Sequence, residues 1–483
     1  MRRLSGTDTL MLYAETAKAQ NIIAPVAVYD ASTAPGGQVT LDDVLTFVRS
    51  RLHVCDSFRE KLVRVPLGLG NPYWIRDPDF DLEYHVRHIA LPRPGTWEQF
   101  AAQVSRIGQR PLDLDRPPWE LYLIEGLDSV EGVPPGGFAM LLKMHHAAVD
   151  GVAGLQVLNA LHDPTPDAVT TDPEADDWRP DGRPSELGML LRAAGHGVTD
   201  PVGTVRRLLL PTARSLPRTA RSLLSLRSPS STMTTIPATR FNATVSAHRV
   251  WDARRFRLAD AKAVKNAVPG ASLNDVSLAL IGGALRIYLQ KYGELPESPL
   301  MTIMPISLRP TATQQSRATE VTASHGGNRF AMATVGLGTD VEDPVERIRA
   351  IAESTRAVKG YALDAPSLME WSTAVPGALV GTAQRAVVRM VNRTGRAIGA
   401  NMIVTNVPGP QKPIYFCGAR CLFTTGMAPV VDGMGIIHAI TSNQDMLVVC
   451  FTADRDMMPD PSFFAQCIED SFARLLAATG VPG

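Results

Sequence analysis

The stretch GGFAMLLKMHHAAVDGVAGLQVLNALHD, residues 136–163, changes its period halfway along, and few folds accommodate that change. Strand alternation puts Phe138, Met140, Leu142, Met144 and His146 on one face, with Ala139, Leu141, Lys143 and His145 on the other. After the histidines, Leu155, Leu158 and Leu161 recur at near-helical spacing, and Asp150 stands where a helix N-cap would. Two readings of the join follow. In one, His146 is a satisfied core histidine and Asp150 a cap. In the other, a strand-to-helix turn presents one imidazole to a cavity, where its ordinary pKa near 6.5 suits a general base. A metal site fits poorly. Adjacent histidines diverge on a strand, a zinc site needs three or four converging ligands, and the sequence shows no second cluster.

The rest of the chain resumes the same mixture. RFRLADAKAVKNAVPGASLNDVSLALIGGALRIYLQKYG, from 255, reads as a strand and two helices, the second longer. LMTIMPISLRP, FAMATVGL and DMLVVCFTADRD read as strands. Strands and helices therefore alternate in both halves, which predicts an α/β fold with two domains. Residues 163–186 are rich in Pro, Asp and Thr and read as a linker or mobile loop. Residues 187–235 interleave leucines with Arg192, Arg206, Arg207, Arg214, Arg218, Arg221 and Arg227, broken at Pro211 and Pro217, with Asp200 their one acid. That pattern suits basic amphipathic helices at an anionic membrane surface, or helices packing their leucines on the protein. The expected boundaries are 1–162 for a first unit, 163–240 for the connecting segment and 241–483 for a second unit.

Composition narrows the function classes. Lys plus Arg equals Asp plus Glu, 48 each, which argues against a globally basic nucleic-acid binder. Cys55, Cys417, Cys421, Cys450 and Cys467 are odd in number and scattered, so they read as small apolar residues in a reducing compartment rather than a disulfide framework. The start, MRRLSGTDTLMLYAETAKAQ, has no long apolar stretch of the kind a secretory leader carries. No segment reaches the ~18 apolar residues of a membrane span. The expectation is a protein that is soluble or lies on a membrane surface.

HHAAVDG matches the HHxxxDG motif of CoA-dependent acyltransferase folds and peptide-synthetase condensation domains. Other blocks narrow the resemblance to the bacterial wax ester synthase/diacylglycerol acyltransferase family. RPPWELYLIEGL (116–127) looks like its PLW segment, and SLNDVSLAL (272–280) is similar to its ND motif. MPISLRP (304–310), GGNRF (326–330) and VTNVPGP (404–410) look like its later blocks, in the expected order along essentially the whole chain. One departure stands out. Pro118 occupies the leucine position of the PLW segment, where it removes a backbone donor and fixes φ; a local packing change is expected there.

The resemblance implies two chloramphenicol-acetyltransferase-like domains with the active site in a tunnel at their interface. It implies transfer of a long-chain acyl group from acyl-CoA to diacylglycerol, giving triacylglycerol, or to a long-chain alcohol, giving a wax ester. His146 would be the general base, with His145 supporting it. Asn274 is a candidate oxyanion donor in the first turn of a helix, or a structural residue of that turn. Asp275 reads as the N3 member of a capping box with Ser272. Asp150 looks structural and Arg309 resembles its partner, a pair whose breaking would strand a buried charge. Gly151 would relax the turn. The implied partners are acyl-CoA as co-substrate, a diacylglycerol or long-chain alcohol, and a membrane or lipid-droplet surface, with no metal, no cofactor and no nucleic acid. The location implied is cytoplasmic, peripheral to the inner face of the membrane or to lipid droplets. A second cluster, Arg385, Arg389, Arg393 and Arg396, is either part of that surface or a solvated helix face. The competing readings are a related acyltransferase with another donor or acceptor, a non-catalytic lipid-surface protein and a metalloenzyme.

Overall fold

The computed structural model describes residues 1–4, 6–13, 15–66, 71–148, 157, 160–167, 178–182, 184–189, 191, 235–307, 330–361 and 396–482. Its first part contains strands β1 (Arg2–Arg3), β2 (Ile22–Asp30), β3 (Glu60–Val63), β4 (Tyr73–Arg76), β5 (Val86–Ala90), β6 (Trp119–Glu125) and β7 (Phe138–His145). With them come helices α1 (Gly6–Tyr13), α2 (Leu41–Arg49), α3 (Leu82–His85) and α4 (Trp97–Gly108). The later part holds β8 (Thr235–Pro237), β9 (Arg249–Arg257), β10 (Met301–Ser307), β11 (Phe330–Gly336), β12 (Arg396–Ile398), β13 (Met402–Pro408), β14 (Tyr415–Phe416), β15 (Ala419–Met427), β16 (Ile436–Asn443) and β17 (Met446–Asp454). Its helices are α5 (Leu258–Ala267), α6 (Leu273–Lys291), α7 (Pro344–Tyr361) and α8 (Pro461–Thr479).

Two six-stranded mixed sheets organise these elements, in the orders β14-β15-β2-β7-β6-β5 and β11-β10-β13-β16-β17-β9. The strand expected before the histidines is β7, and its alternation sorts side chains into two different cores. Phe138, Met140, Leu142 and Met144 pack with Trp119, Leu121 and Phe47, while Ala139 and Leu141 pack with Val26, Phe100 and Val104. Every β7 residue is buried, because it is a central strand with layers on both faces. Lys143 lies on the second face and is held by the Glu120 carboxylate at 3.3 Å and the Pro111 carbonyl at 3.4 Å. The strand ends at His145; His146–Ala148 form one tight turn. His146 is therefore off the strand, and its direction is set by that turn rather than by alternation.

The two sheets do not divide the chain at one point. β14 and β15 follow residue 241 in sequence, yet β15 pairs antiparallel with β2 from Ala24 to Asp30 and completes the first sheet. The physical reason is β2 itself: with β7 on one side only, it would be an open edge carrying Ala24, Val26 and Val28 at 0–1% exposure. One core cluster then spans both sheets, joining Phe100, Val104 and Tyr122 to Trp251, Val448 and Cys450. Helix α4 sits in that seam. The Trp97 indole donates to Asp252 at 2.7 Å, the Trp251 indole donates to the Gly426 carbonyl at 2.9 Å, and Arg249 N–H donates to the Gln109 side chain at 3.0 Å.

Part of the connecting segment is tied to the first part of the chain. Asp163 receives a bidentate pair of hydrogen bonds from Arg51, both 2.7 Å, and Asp181 accepts from Arg76 N–H at 3.0 Å. Residues 186–189 are helical, with Leu187 exposed and Met189 buried. The arginines of 192–234 and Arg385, Arg389 and Arg393 lie outside the described residues.

Helix α6 is the spine of the second half. Ser272 caps it, its hydroxyl accepting from Asp275 N–H at 3.2 Å while the Asp275 carboxylate accepts from Ser272 N–H at 2.8 Å. From Asp275 to Leu285 every residue is buried, since β-sheet, α7 and α8 surround it. Gly282 permits this: a Cβ there would lie 2.0 Å from the Leu337 carbonyl oxygen. All five cysteines are buried and unpaired, in keeping with their reading as small apolar residues.

Candidate active site

The turn at the end of β7 is held from four directions. His145 N–H donates to the Pro118 carbonyl at 3.0 Å, toward β6. His146 N–H donates to the Asn21 carbonyl at 2.7 Å, just ahead of β2. Ser57 Oγ donates to the Ala148 carbonyl at 3.0 Å. The fourth tie is a side chain: the His145 Nδ1 accepts from Ala147 N–H at 3.1 Å, which places the ring proton on Nε2, and Nε2 donates to Glu15 Oε1 at 2.9 Å. The same Glu15 oxygen accepts from Asn21 N–H at 2.6 Å. Glu15, Asn21, His146, Ala147 and His145 thus form a closed hydrogen-bonded circuit.

The two histidines differ in what they leave free. Both ring nitrogens of His145 are engaged and the residue is buried. His146 is half-buried, and a hydrogen bond ties its ring to its own backbone. Burial pulls its pKa below the ordinary 6.5 and the neighbouring His145 acts the same way, while a hydrogen bond to its own backbone and the Asp8 charge oppose. The lowered pKa favours a neutral imidazole at pH 7 on a rigid turn, and a ring that gives its N–H to the backbone keeps its other nitrogen as an acceptor.

The PLW-like segment supports this turn through Trp119 and the carbonyl before it. Trp119 is 1% exposed, its indole donates to the Phe58 carbonyl at 2.9 Å, and its ring stacks on His85 at 4.5 Å. At 118 the turn uses the backbone carbonyl, which proline retains, so the substitution removes a donor that this contact does not need.

In the second half, three separate blocks of sequence meet at Asn274. Its Nδ2 donates weakly to Met304 Sδ at 3.4 Å, and its Oδ1 accepts from Asn406 Nδ2 at 3.4 Å. Met304 and Asn406 sit on β10 and β13, which run parallel and adjacent. Asp275 turns inward, accepting from Thr355 Oγ1 at 2.8 Å as well as capping α6. Among the described residues no hydrogen bond joins Asn274 to His145 or His146; the histidines end a strand of the first sheet, whereas Asn274 begins α6 beside the second. Asp150, Gly151 and Arg309 lie outside the described residues. Among those described, no group of three or more His, Cys, Asp or Glu is placed to hold a metal, and no helix is long and apolar enough to cross a membrane.

Glu15 and Asn21 were not legible as site residues. Glu15 lies 130 positions from His145, in a stretch without periodic pattern, and nothing in one sequence links the two. Met304 and Asn406 fall within motif blocks, but their meeting at Asn274 depends on the pairing of β10 with β13.

Comparison with known families places the chain. Residues 4–277 match the wax ester synthase/diacylglycerol acyltransferase catalytic domain, and 326–476 match that family's C-terminal domain. The chain belongs to the wax ester synthase/diacylglycerol acyltransferase family. It is accordingly an acyltransferase. A Mycobacterium tuberculosis (H37Rv) relative named a diacylglycerol O-acyltransferase is 32% identical over 467 residues, covering 94% of this chain and 92% of its own. The wax ester synthase/diacylglycerol acyltransferase of Marinobacter aquaeolei VT8 superposes over 99% of this chain and 100% of that one, with TM-score 0.69 at 22% identity. A variant of the starter condensation domain of rhizomide synthetase, solved with C8-CoA, covers 99% and 95%, with TM-score 0.52 at 13% identity. These structures share the fold: two domains of the condensation and chloramphenicol-acetyltransferase type, each built on a mixed sheet.

Proposed function

We propose that the enzyme moves a long-chain acyl group from acyl-CoA to the hydroxyl of a diacylglycerol, making triacylglycerol, and to long-chain alcohols, making wax esters, with His146 as general base. The observation that carries this reading is the state of His146: pKa lowered, half-buried and on a braced turn. An alcohol is a poor nucleophile at neutral pH and needs such a base within hydrogen-bond reach. The imidazole takes the hydroxyl proton as the oxygen attacks the thioester carbonyl. Negative charge gathers on the carbonyl oxygen. Asn274 is the proposed donor there, because a thioether is a weak acceptor and leaves the amide N–H groups available to a stronger one. Collapse breaks the C–S bond, and the imidazolium returns its proton to the CoA thiolate. Protons and electrons balance with no covalent acyl-enzyme.

His145 is proposed as a support to His146 rather than a reacting group, since both its nitrogens are occupied. Asp150, Gly151 and Arg309 are proposed, on the resemblance of their motifs, as the frame of the turn. Residues 1–162 and 241–483 are proposed to close over an apolar tunnel for the two lipids, with 163–240 between them. The arginine-rich part of that segment is proposed to rest on a cytoplasmic membrane face or a lipid droplet.

The test is one assay with two acceptors. Purified protein and His146→Ala receive labelled palmitoyl-CoA with diacylglycerol or with hexadecanol. Wild type is expected to make labelled ester and the folded variant not to, and the product ratio gives the acceptor preference. Equal activity in the two proteins would return His146 to the status of a core histidine. Absence of ester from wild type with both acceptors would point to a different acyl donor or to a non-catalytic role.

A further inference from the structure

We infer that Glu15 is a positioning residue for this reaction, acting through the location of one carboxylate oxygen rather than through its charge; the inference rests on His146 being the base. The Oε1 atom alone makes both relevant contacts, accepting from His145 Nε2–H at 2.9 Å and from Asn21 N–H at 2.6 Å. Each contact reaches His146 by a short path. Through Asn21, whose carbonyl accepts from His146 N–H at 2.7 Å, Glu15 sets where the base's backbone begins. Through His145, it fixes which ring nitrogen is unprotonated, and that nitrogen accepts from Ala147 N–H at 3.1 Å, the residue directly after the base. A ring rotated or protonated at Nδ1 would confront the Ala147 N–H with a donor. The carboxylate therefore grips the turn on both sides of His146 without touching the His146 ring.

The surroundings give Glu15 few other tasks. It follows α1 and precedes β2, and among the described residues it caps no helix and pairs with no lysine or arginine. Its carboxylate borders a cavity of about 440 Å³ that Tyr13, Gln20, Arg64, Leu112 and His145 also line. That space adjoins His145 rather than His146, so the engaged histidine separates Glu15 from the reacting base. The Asn21 side chain adds a further anchor, donating to the Met11 carbonyl at the end of α1 at 2.5 Å.

This assignment makes an ordering of substitutions that differs from what charge would give. Glu15→Gln keeps an acceptor oxygen at the same reach and loses the charge. Glu15→Asp keeps the charge and withdraws the oxygen by about 1.5 Å, one carbon–carbon bond. The expected result is Gln above Asp: kcat for Glu15→Gln within about threefold of wild type, and kcat for Glu15→Asp lowered by about 10- to 100-fold, the scale associated with a misplacement of about 1 Å. KM for palmitoyl-CoA should stay within about twofold in both.

The experiment measures kcat and KM for wild type, Glu15→Gln, Glu15→Asp and His146→Ala with palmitoyl-CoA and hexadecanol or diacylglycerol, alongside the melting temperature of each protein. Glu15→Asp equal to or better than Glu15→Gln would overturn the inference in favour of a role for the charge. A rise in KM with kcat unchanged would overturn it in favour of a substrate contact. Wild-type kinetics in both Glu15 variants would show that the turn needs no such grip. The control separates the two levels of argument: an active His146→Ala removes the general-base reading, whereas an inactive His146→Ala beside a normal Glu15→Asp removes only the role given to Glu15.

Discussion

His438 offers a measurement in which burial alone decides the outcome. It lies in β16, opposite Val404 on one side and Phe451 on the other, at 0% exposure. Among the described residues neither ring nitrogen has a hydrogen-bond partner, and the ring meets Phe464 edge-on at 5.7 Å. Desolvation is the sole cause acting on it, and pushes its pKa from 6.5 down to about 3. The folded state therefore refuses a proton that the unfolded state accepts. The stability contributed by the neutral ring is fully present above pH 6.5 and is lost as pH falls from 6.5 toward 3. One pKa unit corresponds to about 1.4 kcal/mol, so the 1.5 units between 6.5 and pH 5 remove about 2 kcal/mol. His438→Leu abolishes this loss. At pH 7 the same change relieves an unsatisfied polar group, a gain of about 1–3 kcal/mol, set against a repacking cost below about 1.5 kcal/mol. The assay is urea unfolding of both proteins at pH 7 and pH 5, followed by tryptophan fluorescence. The advantage of the variant over wild type should widen by about 2 kcal/mol on acidification. A difference that stays within about 0.5 kcal/mol would refute the reasoning, because it would mean that a fully buried, unpartnered histidine takes up its proton at no cost.

Three further outcomes follow from the site and its frame. Asn274→Ala should lower kcat by about 10²- to 10³-fold, the range for loss of one oxyanion donor, with KM little changed; wild-type turnover would remove Asn274 from that role. Because burial holds the His146 pKa below 6.5 and only the neutral ring can take a proton, kcat/KM should fall with acid at a midpoint below 6.5; a midpoint at or above 6.5 would contradict the burial argument. Arg51→Ala should cost about 3–5 kcal/mol by stranding the Asp163 carboxylate, and adding Asp163→Ala should cost less than the sum of the two single changes when urea midpoints are compared.

What could be read from the residues was mostly local. The alternation from Phe138 to Met144 identified a strand with two apolar faces, and the SLND start of α6 identified its cap, because both signals lie within a few residues. His146 was harder. Alternation would have put it on the Met144 face, but the strand stops at His145 and a tight turn takes over. The ordered motif blocks located His146 and Asn274 as site candidates. They could not show that Met304 and Asn406 would reach Asn274, since that depends on β10 lying beside β13 across about 100 positions. Glu15 was invisible for the same reason: its importance is a contact made at a distance of 130 residues, and no periodicity records it. The pairing of β15 with β2 lies beyond any local pattern.

That pairing has a consequence for how the protein is made. Thr33 and Gly418, which hydrogen-bond beside the β2–β15 seam, are 385 positions apart. At about 5–20 residues per second, ribosomes take roughly 20–80 s to traverse that distance. Once residue 145 has been made, the nascent chain carries the histidine strand and its neighbour β2 for the rest of that interval, but not the strand that seals them. An open, apolar edge is a template for the wrong partner, and here it is exposed in every polysome carrying the message. The edge stays open until β15 has been made, so the yield of active enzyme is expected to depend on chaperone supply and elongation speed more than on the stability of the finished molecule.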